Sequence, residues 1–114
     1  MPYMHVRTNV EVNEEKRLSL KKAFGEAISL LPGKSETWLM VDIEDKACLF
    51  FAGQGDRPLA MVEAELLGKS TPAAYEKLTA RVCEIMENEL SVAADGVYVK
   101  YAEVDHWGYN GSNF

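Results

Sequence analysis

At 114 residues, with a formal net charge of −6 and two cysteines, the chain is sized for one domain and is too acidic for a broad nucleic-acid or anionic-membrane surface. Its longest apolar runs, such as Ala47 to Ala52, are far too short to cross a bilayer, and no basic stretch followed by an apolar segment heads the chain. Cys48 and Cys83 lie far apart with no CxxC and no histidine spacing suited to zinc, which excludes a Cys/His metal site and predicts buried free thiols in a cytoplasmic protein, or in one exported without a signal peptide.

Tyr3 to Val10 alternates weakly and carries Val and Thr, as a strand would, and Pro2 stands where a missing backbone N–H costs a strand least. Asn13 followed by Glu14 and Glu15 reads as a helix N-cap with acids in the first turn. The helix carries Leu20, Phe24, Ala27, Ile28 and Leu31 at three- and four-residue steps, and Pro32-Gly33 stops it. Thr37 to Ile43 predicts a second strand. A turn at Glu44 to Lys46 and the apolar run CLFFA lead into the GQGDRP loop, which divides the chain.

The pattern then recurs. Val62, Ala64 and Leu66 alternate with Glu63 and Glu65, a strand with one wet side. Ser70 or Thr71 caps a second helix with Pro72 in its first turn and a stripe of Tyr75, Leu78, Val82, Ile85 and Met86. Asp95-Gly96 turns into a strand from Val97 to Val104. Two βαβ units of near-equal length, about 2–57 and 58–114, predict one α/β domain with a four-stranded mixed sheet and both helices on one face. The other face is left bare and partly apolar, which suits a cyclic oligomer.

Most chemistry-bearing motifs fail on inspection. GKST at Gly68 to Thr71 resembles the end of a phosphate loop, but the motif's first glycine would fall on Glu63. His5 and His106 sit in no nucleophile arrangement. Lys34 occupies a loop where a solvated lysine is the ordinary reading, and Trp107, Tyr109 and Phe114 crowd aromatics into the tail, where they would pack on the domain and wall an aryl site. Pro2 itself is an N-terminal secondary amine if Met1 is removed, a group able to act as base or nucleophile.

Taken together, Met1-Pro2, TNV at Thr8 to Val10, Gly33-Lys34, VYVKY at Val97 to Tyr101 and the closing GYNGSNF resemble the macrophage migration inhibitory factor family over essentially the whole chain. The resemblance implies a homotrimer whose sheets form a central barrel, with sites between adjacent subunits. It also implies keto–enol tautomerase activity on phenylpyruvate-like and dopachrome-like compounds, with no cofactor and no metal. Pro2 would be the catalytic base and Lys34 would bind the carboxylate of a small aromatic 2-keto acid. Leu67 would be a pocket aliphatic, Tyr98 would reach in from the adjacent subunit, and Tyr3, Trp38, Tyr109 and Phe114 would form or rim the aromatic pocket. Three departures from mammalian members stand out. Lys100 replaces an asparagine and adds positive charge at the mouth, Glu65 replaces a histidine, and Leu59 to Val62 fill the place of a CxxC, so thiol oxidoreductase activity is not expected. The alternative the resemblance carries is a cytokine-like role, with a cell-surface receptor as partner and the pocket non-essential.

Overall fold

The computed structural model describes residues 1–114. Strand β1 (Pro2–Thr8) leads to helix α1 (Glu14–Ala27), a 3-10 turn at Ile28–Leu30, a second at Glu36–Trp38, and β2 (Met40–Glu44). After a long loop, β3 (Ala60–Leu67), helix α2 (Pro72–Leu90), a 3-10 turn at Ala94–Gly96 and β4 (Val97–Val104) follow. A small hairpin, β5 (Gly108–Tyr109) and β6 (Ser112–Asn113), closes the chain. The sheet order is β2-β1-β3-β4. β1 runs parallel to β2 and antiparallel to β3, which runs parallel to β4.

Local chemistry sets the helix starts. Asn13 Oδ1 accepts from Lys16 N at 2.8 Å, and Thr71 Oγ1 accepts from Ala74 N at 3.1 Å with Pro72 in the first turn. Each cap satisfies a donor that the helix start leaves unpaired. Ser91, with φ of 57°, turns left-handed to end α2 and donates its N–H to Glu87 O.

The strands bury alternate residues, as a sheet with one covered face requires. Met4 and Val6 of β1 and Val62, Ala64 and Leu66 of β3 are at most 2 % exposed, and all but Leu66 share one core cluster with Leu20, Phe24, Leu78, Val82, Ile85 and Met86 from the helices. The uncovered face carries charges in its middle rows, where Arg7 pairs with Glu44 at 3.0 Å and Lys100 with Glu63 at 3.4 Å. Met40, Met61, Leu67 and Val104 supply apolar surface toward its edges and ends.

Several boundaries and one burial class differ from expectation. Thr37 to Leu39 is not strand: Glu36–Trp38 form a 3-10 turn and β2 begins at Met40. β1 stops at Thr8 instead of Val10. Cys48 is exposed, because the loop that holds it runs outside the packed layers, while Cys83 is half-buried and both thiols are free. The Asn110-Gly111 pair was an unread hairpin signal: both residues have positive φ, 52° and 86°, the two-residue turn that suits a right-twisted hairpin.

The TNV segment acts as a clamp between the two halves. Buried Thr8 donates its Oγ1–H to Leu59 O at 2.7 Å, Asn9 Nδ2 donates to Arg57 O at 2.9 Å, and Leu59 N donates to Asn9 Oδ1 at 2.9 Å. These bonds fix where β3 enters the sheet beside β1. Replacing Asn9 with alanine leaves two half-buried backbone groups unpaired and should cost about 1–3 kcal/mol. Urea denaturation at fixed protein concentration checks this, and an unchanged midpoint would show that the clamp is idle.

Candidate active site

Because β1 is an inner strand, its first residue is enclosed on both sides. Pro2 is buried and faces Leu66, and Leu67 N donates to Met1 O at 3.1 Å across the same pair of strands. The missing N–H of Pro2 falls at the strand's first position, where the ladder loses least. Gly33, with φ of 82°, turns the chain after α1 so that Lys34 points back across the sheet end. There Lys34 Nζ donates to Leu67 O at 3.0 Å.

Burial holds the Met1 amino group below the usual α-amino value, and the Lys34 charge beside it acts in the same direction. The head of the chain and the Lys34 ammonium are therefore near neighbours. The head of the chain opens on a cleft of about 460 Å³ whose walls include Pro2, Tyr3, Trp38, Met40, Glu65 and Tyr109. Trp38 meets Tyr109 edge-on at 5.3 Å between ring centroids and Phe114 at 6.4 Å. Tyr109 and Phe114 stack at 6.1 Å, so the tail hairpin and the 3-10 turn at Trp38 form one aromatic wall.

Tyr3 closes the cleft from the uncovered sheet face. Its hydroxyl donates to Asp42 Oδ2 at 2.7 Å. That bond, reinforced by burial and by the charges of Asp42, Glu65 and Glu63, pushes the phenol up to about 12. No group of three or more His, Cys, Asp or Glu side chains converges anywhere in the chain to hold a metal ion.

The structure thus brings Pro2, Tyr3, Trp38 and Tyr109 to one cleft. Lys34 and Phe114 do not line it: Lys34 lies beside the Met1 amino group at its head, and Phe114 packs on the wall residues Trp38 and Tyr109. Leu67 takes part through its backbone carbonyl and extends its side chain on the uncovered sheet face. Two expected residues lie elsewhere in the same chain. Tyr98 is 60 % exposed and packs on Phe51 at 4.9 Å, in a separate apolar groove with Leu59 and Met61. It pairs with Met61, which faces Arg7, so it lies five strand positions from Pro2, on the order of 16 Å along the sheet. Lys100 is held by Glu63.

Sequence reasoning missed Thr37, Leu39 and Met40 as cleft walls and Asp42 as the partner of Tyr3. Nothing in their types announced them. Trp107 also lines the cleft and was legible only as one aromatic of the tail. If Asp42 sets the Tyr3 titration, Asp42→Asn should bring the phenol down from about 12 toward the ordinary value of about 10. Ultraviolet titration, with Tyr3→Phe identifying the signal, reads this directly; a Tyr3 midpoint that ignores the substitution would contradict the assignment.

A family model described as macrophage migration inhibitory factor matches residues 1–114. Macrophage migration inhibitory factor of Rattus norvegicus is 26 % identical over 120 residues, covering 100 % of this chain and 99 % of its own; that of Xenopus laevis is 27 % identical over 119 residues with the same coverage. Among solved structures, Leishmania major MIF2 superposes with a TM-score of 0.93 at 31 % identity, covering 100 % of this chain and 97 % of its own. The macrophage migration inhibitory factor-like protein of Entamoeba histolytica shares the fold, with a TM-score of 0.87 at 18 % identity and coverage of 99 % and 98 %. With its α/β sheet, its helices and its full length all matched, the chain belongs to the macrophage migration inhibitory factor family.

Proposed function

We propose that the chain is a keto–enol tautomerase of phenylpyruvate-like and dopachrome-like compounds, with Pro2 as catalytic base once Met1 is removed. One observation carries the reading: Pro2 is buried at an aromatic-walled cleft, and the amino group of the residue before it lies beside the Lys34 ammonium. A prolyl amine in that position loses hydration and faces a fixed positive charge, and both effects favour its neutral form. A neutral secondary amine at the cleft wall is a competent base near neutral pH.

The chemistry then follows from the residues. Lys34 pairs with the substrate carboxylate, and the wall of Trp38 and Tyr109 takes the aryl ring. Pro2 nitrogen removes a proton from the carbon beside the carbonyl, the carbonyl oxygen takes a proton from water, and the enol forms. In the ketonising direction the prolinium returns its proton to carbon as the enol O–H is released. Tyr98 and Lys100, far from Pro2 in their own chain, serve the cleft of an adjacent subunit in a homotrimer.

Two outcomes test this. An alanine inserted between Met1 and Pro2 converts the Pro2 nitrogen to an amide in the trimmed protein, and kcat/KM for phenylpyruvate should fall about 10²- to 10⁴-fold, the range for loss of an acid–base group. Native protein, its N-terminus verified by intact mass, that fails to convert phenylpyruvate would sink the reading.

The pH dependence has a defined sign. A base whose pKa is lowered is active above that pKa and loses activity as pH falls through it, so the acid limb of kcat/KM should lie below the ordinary α-amino value of about 8. Lys34→Ala removes the repelling charge, raises the amine pKa and should move that limb to higher pH, while KM rises roughly tenfold for loss of a charge-assisted contact. An acid limb that stays in place would remove Lys34 from the tuning of Pro2.

A further inference from the structure

The cleft is electrically two-ended. At the Leu67 side of Pro2 stands the Lys34 ammonium. At the Tyr3 side stands Glu65, which is paired across the strands with Tyr3, lines the cleft, and is only half-buried. The neighbouring carboxylates all have partners: Asp42 holds the Tyr3 hydroxyl, Glu63 holds Lys100, and Glu44 holds Arg7 and His5. Within its own chain Glu65 alone makes no hydrogen bond and no ion pair, and the Lys100 that the proposed trimer brings to this cleft is already held by Glu63 of its own chain; seven of the eleven residues lining the cleft are hydrophobic. The Tyr3 phenol, raised first by its bond to Asp42 and to a lesser extent by Glu65 and Glu63, is in keeping with a negative potential at this end of the cleft. A partly exposed carboxylate without a partner beside aromatic walls is open to a cation that also sits on aromatic faces. Tyr3, Trp38 and Tyr109 offer such faces within the same cleft. With no third carboxylate, histidine or cysteine converging there, an organic ammonium fits better than a metal ion.

We infer that Glu65 is a specificity-determining residue that makes the cleft select 2-keto acids bearing a protonated amine at the end remote from the carboxylate. The inference rests on the tautomerase reading for which end of the ligand meets Lys34. A zwitterion of this kind would lie along the cleft with its carboxylate on Lys34 and its ammonium on Glu65. Substrates with a second carboxylate at the remote end would be turned away by the same residue.

The test compares phenylpyruvate with its para-(dimethylaminomethyl) derivative, a tertiary amine that is protonated at neutral pH and cannot form an imine. The native protein should convert the cationic substrate with kcat/KM about three- to tenfold higher, the range for one partly exposed ion pair with an aromatic contribution. Glu65→Gln should erase that preference and Glu65→Lys should invert it. Equal kcat/KM for the two substrates, or a preference that survives Glu65→Gln, would overturn the inference while leaving the tautomerase reading intact. Calorimetric binding of cinnamate and para-(dimethylaminomethyl)cinnamate reads the same preference without turnover. Selective binding with no conversion of either keto acid would keep the charge selectivity and remove the tautomerase; no selectivity in binding would contradict the role of Glu65.

Discussion

The structure depends on one constraint: the chain begins as an inner strand. β1 is held by β2 on one side and β3 on the other, so the first residues cannot fray like an ordinary terminus. The antiparallel pairing with β3 sets Pro2 opposite Leu66 at the strand's far end, and the Leu67 N–H to Met1 carbonyl bond continues the ladder past the proline. Everything at the cleft is referred to that fixed point. Lys34 arrives there because α1 and its following turn carry the chain back over the sheet end, and its ammonium is tied to the carbonyl of the residue next to Leu66.

That arrangement sets two cations against each other at close range. Lysine is the stronger base, so the amino group is the one that yields, and burial pushes it the same way. The Leu67 carbonyl gives the lysine the partner that a half-buried ammonium needs. On the other flank the charge is reversed: Asp42, Glu63 and Glu65 surround the Tyr3 hydroxyl. The cleft is a short slot between aromatic walls, with Pro2 between flanks of opposite charge. Its polarity comes from strand register, because Tyr3, Asp42, Glu63 and Glu65 all emerge on the helix-free face of three adjacent strands.

The parts legible in the sequence were those written in local chemistry. Asn13 and the Ser70-Thr71 pair announced the helix starts, with Thr71 the residue that caps, and the alternation of Val62, Ala64 and Leu66 with two glutamates announced a strand with one covered face. The resemblance to a family supplied roles for Pro2 and Lys34 that position alone would not. What was lost depends on distant contacts. Thr37 to Leu39 has strand-forming side chains, but Trp38 packs against Tyr109 and Phe114 from the far end of the chain, and a 3-10 turn presents it there. Met40 and Asp42 became cleft residues only through the register of β2 on β1. Tyr98 illustrates the same limit from the other direction, since its distance from Pro2 is a property of the sheet, invisible in a string of letters.

The central claim is that this fold makes the chain's first amine a neutral base. The most direct measurement is a nitrogen-15 NMR titration of Met1-trimmed protein labelled at proline, following the Pro2 nitrogen itself. The account predicts a midpoint clearly below the ordinary α-amino value of about 8, although a free prolyl amine is more basic than that. A midpoint at or above that value would mean that neither burial nor Lys34 acts on the amine, and the account would fail at its root.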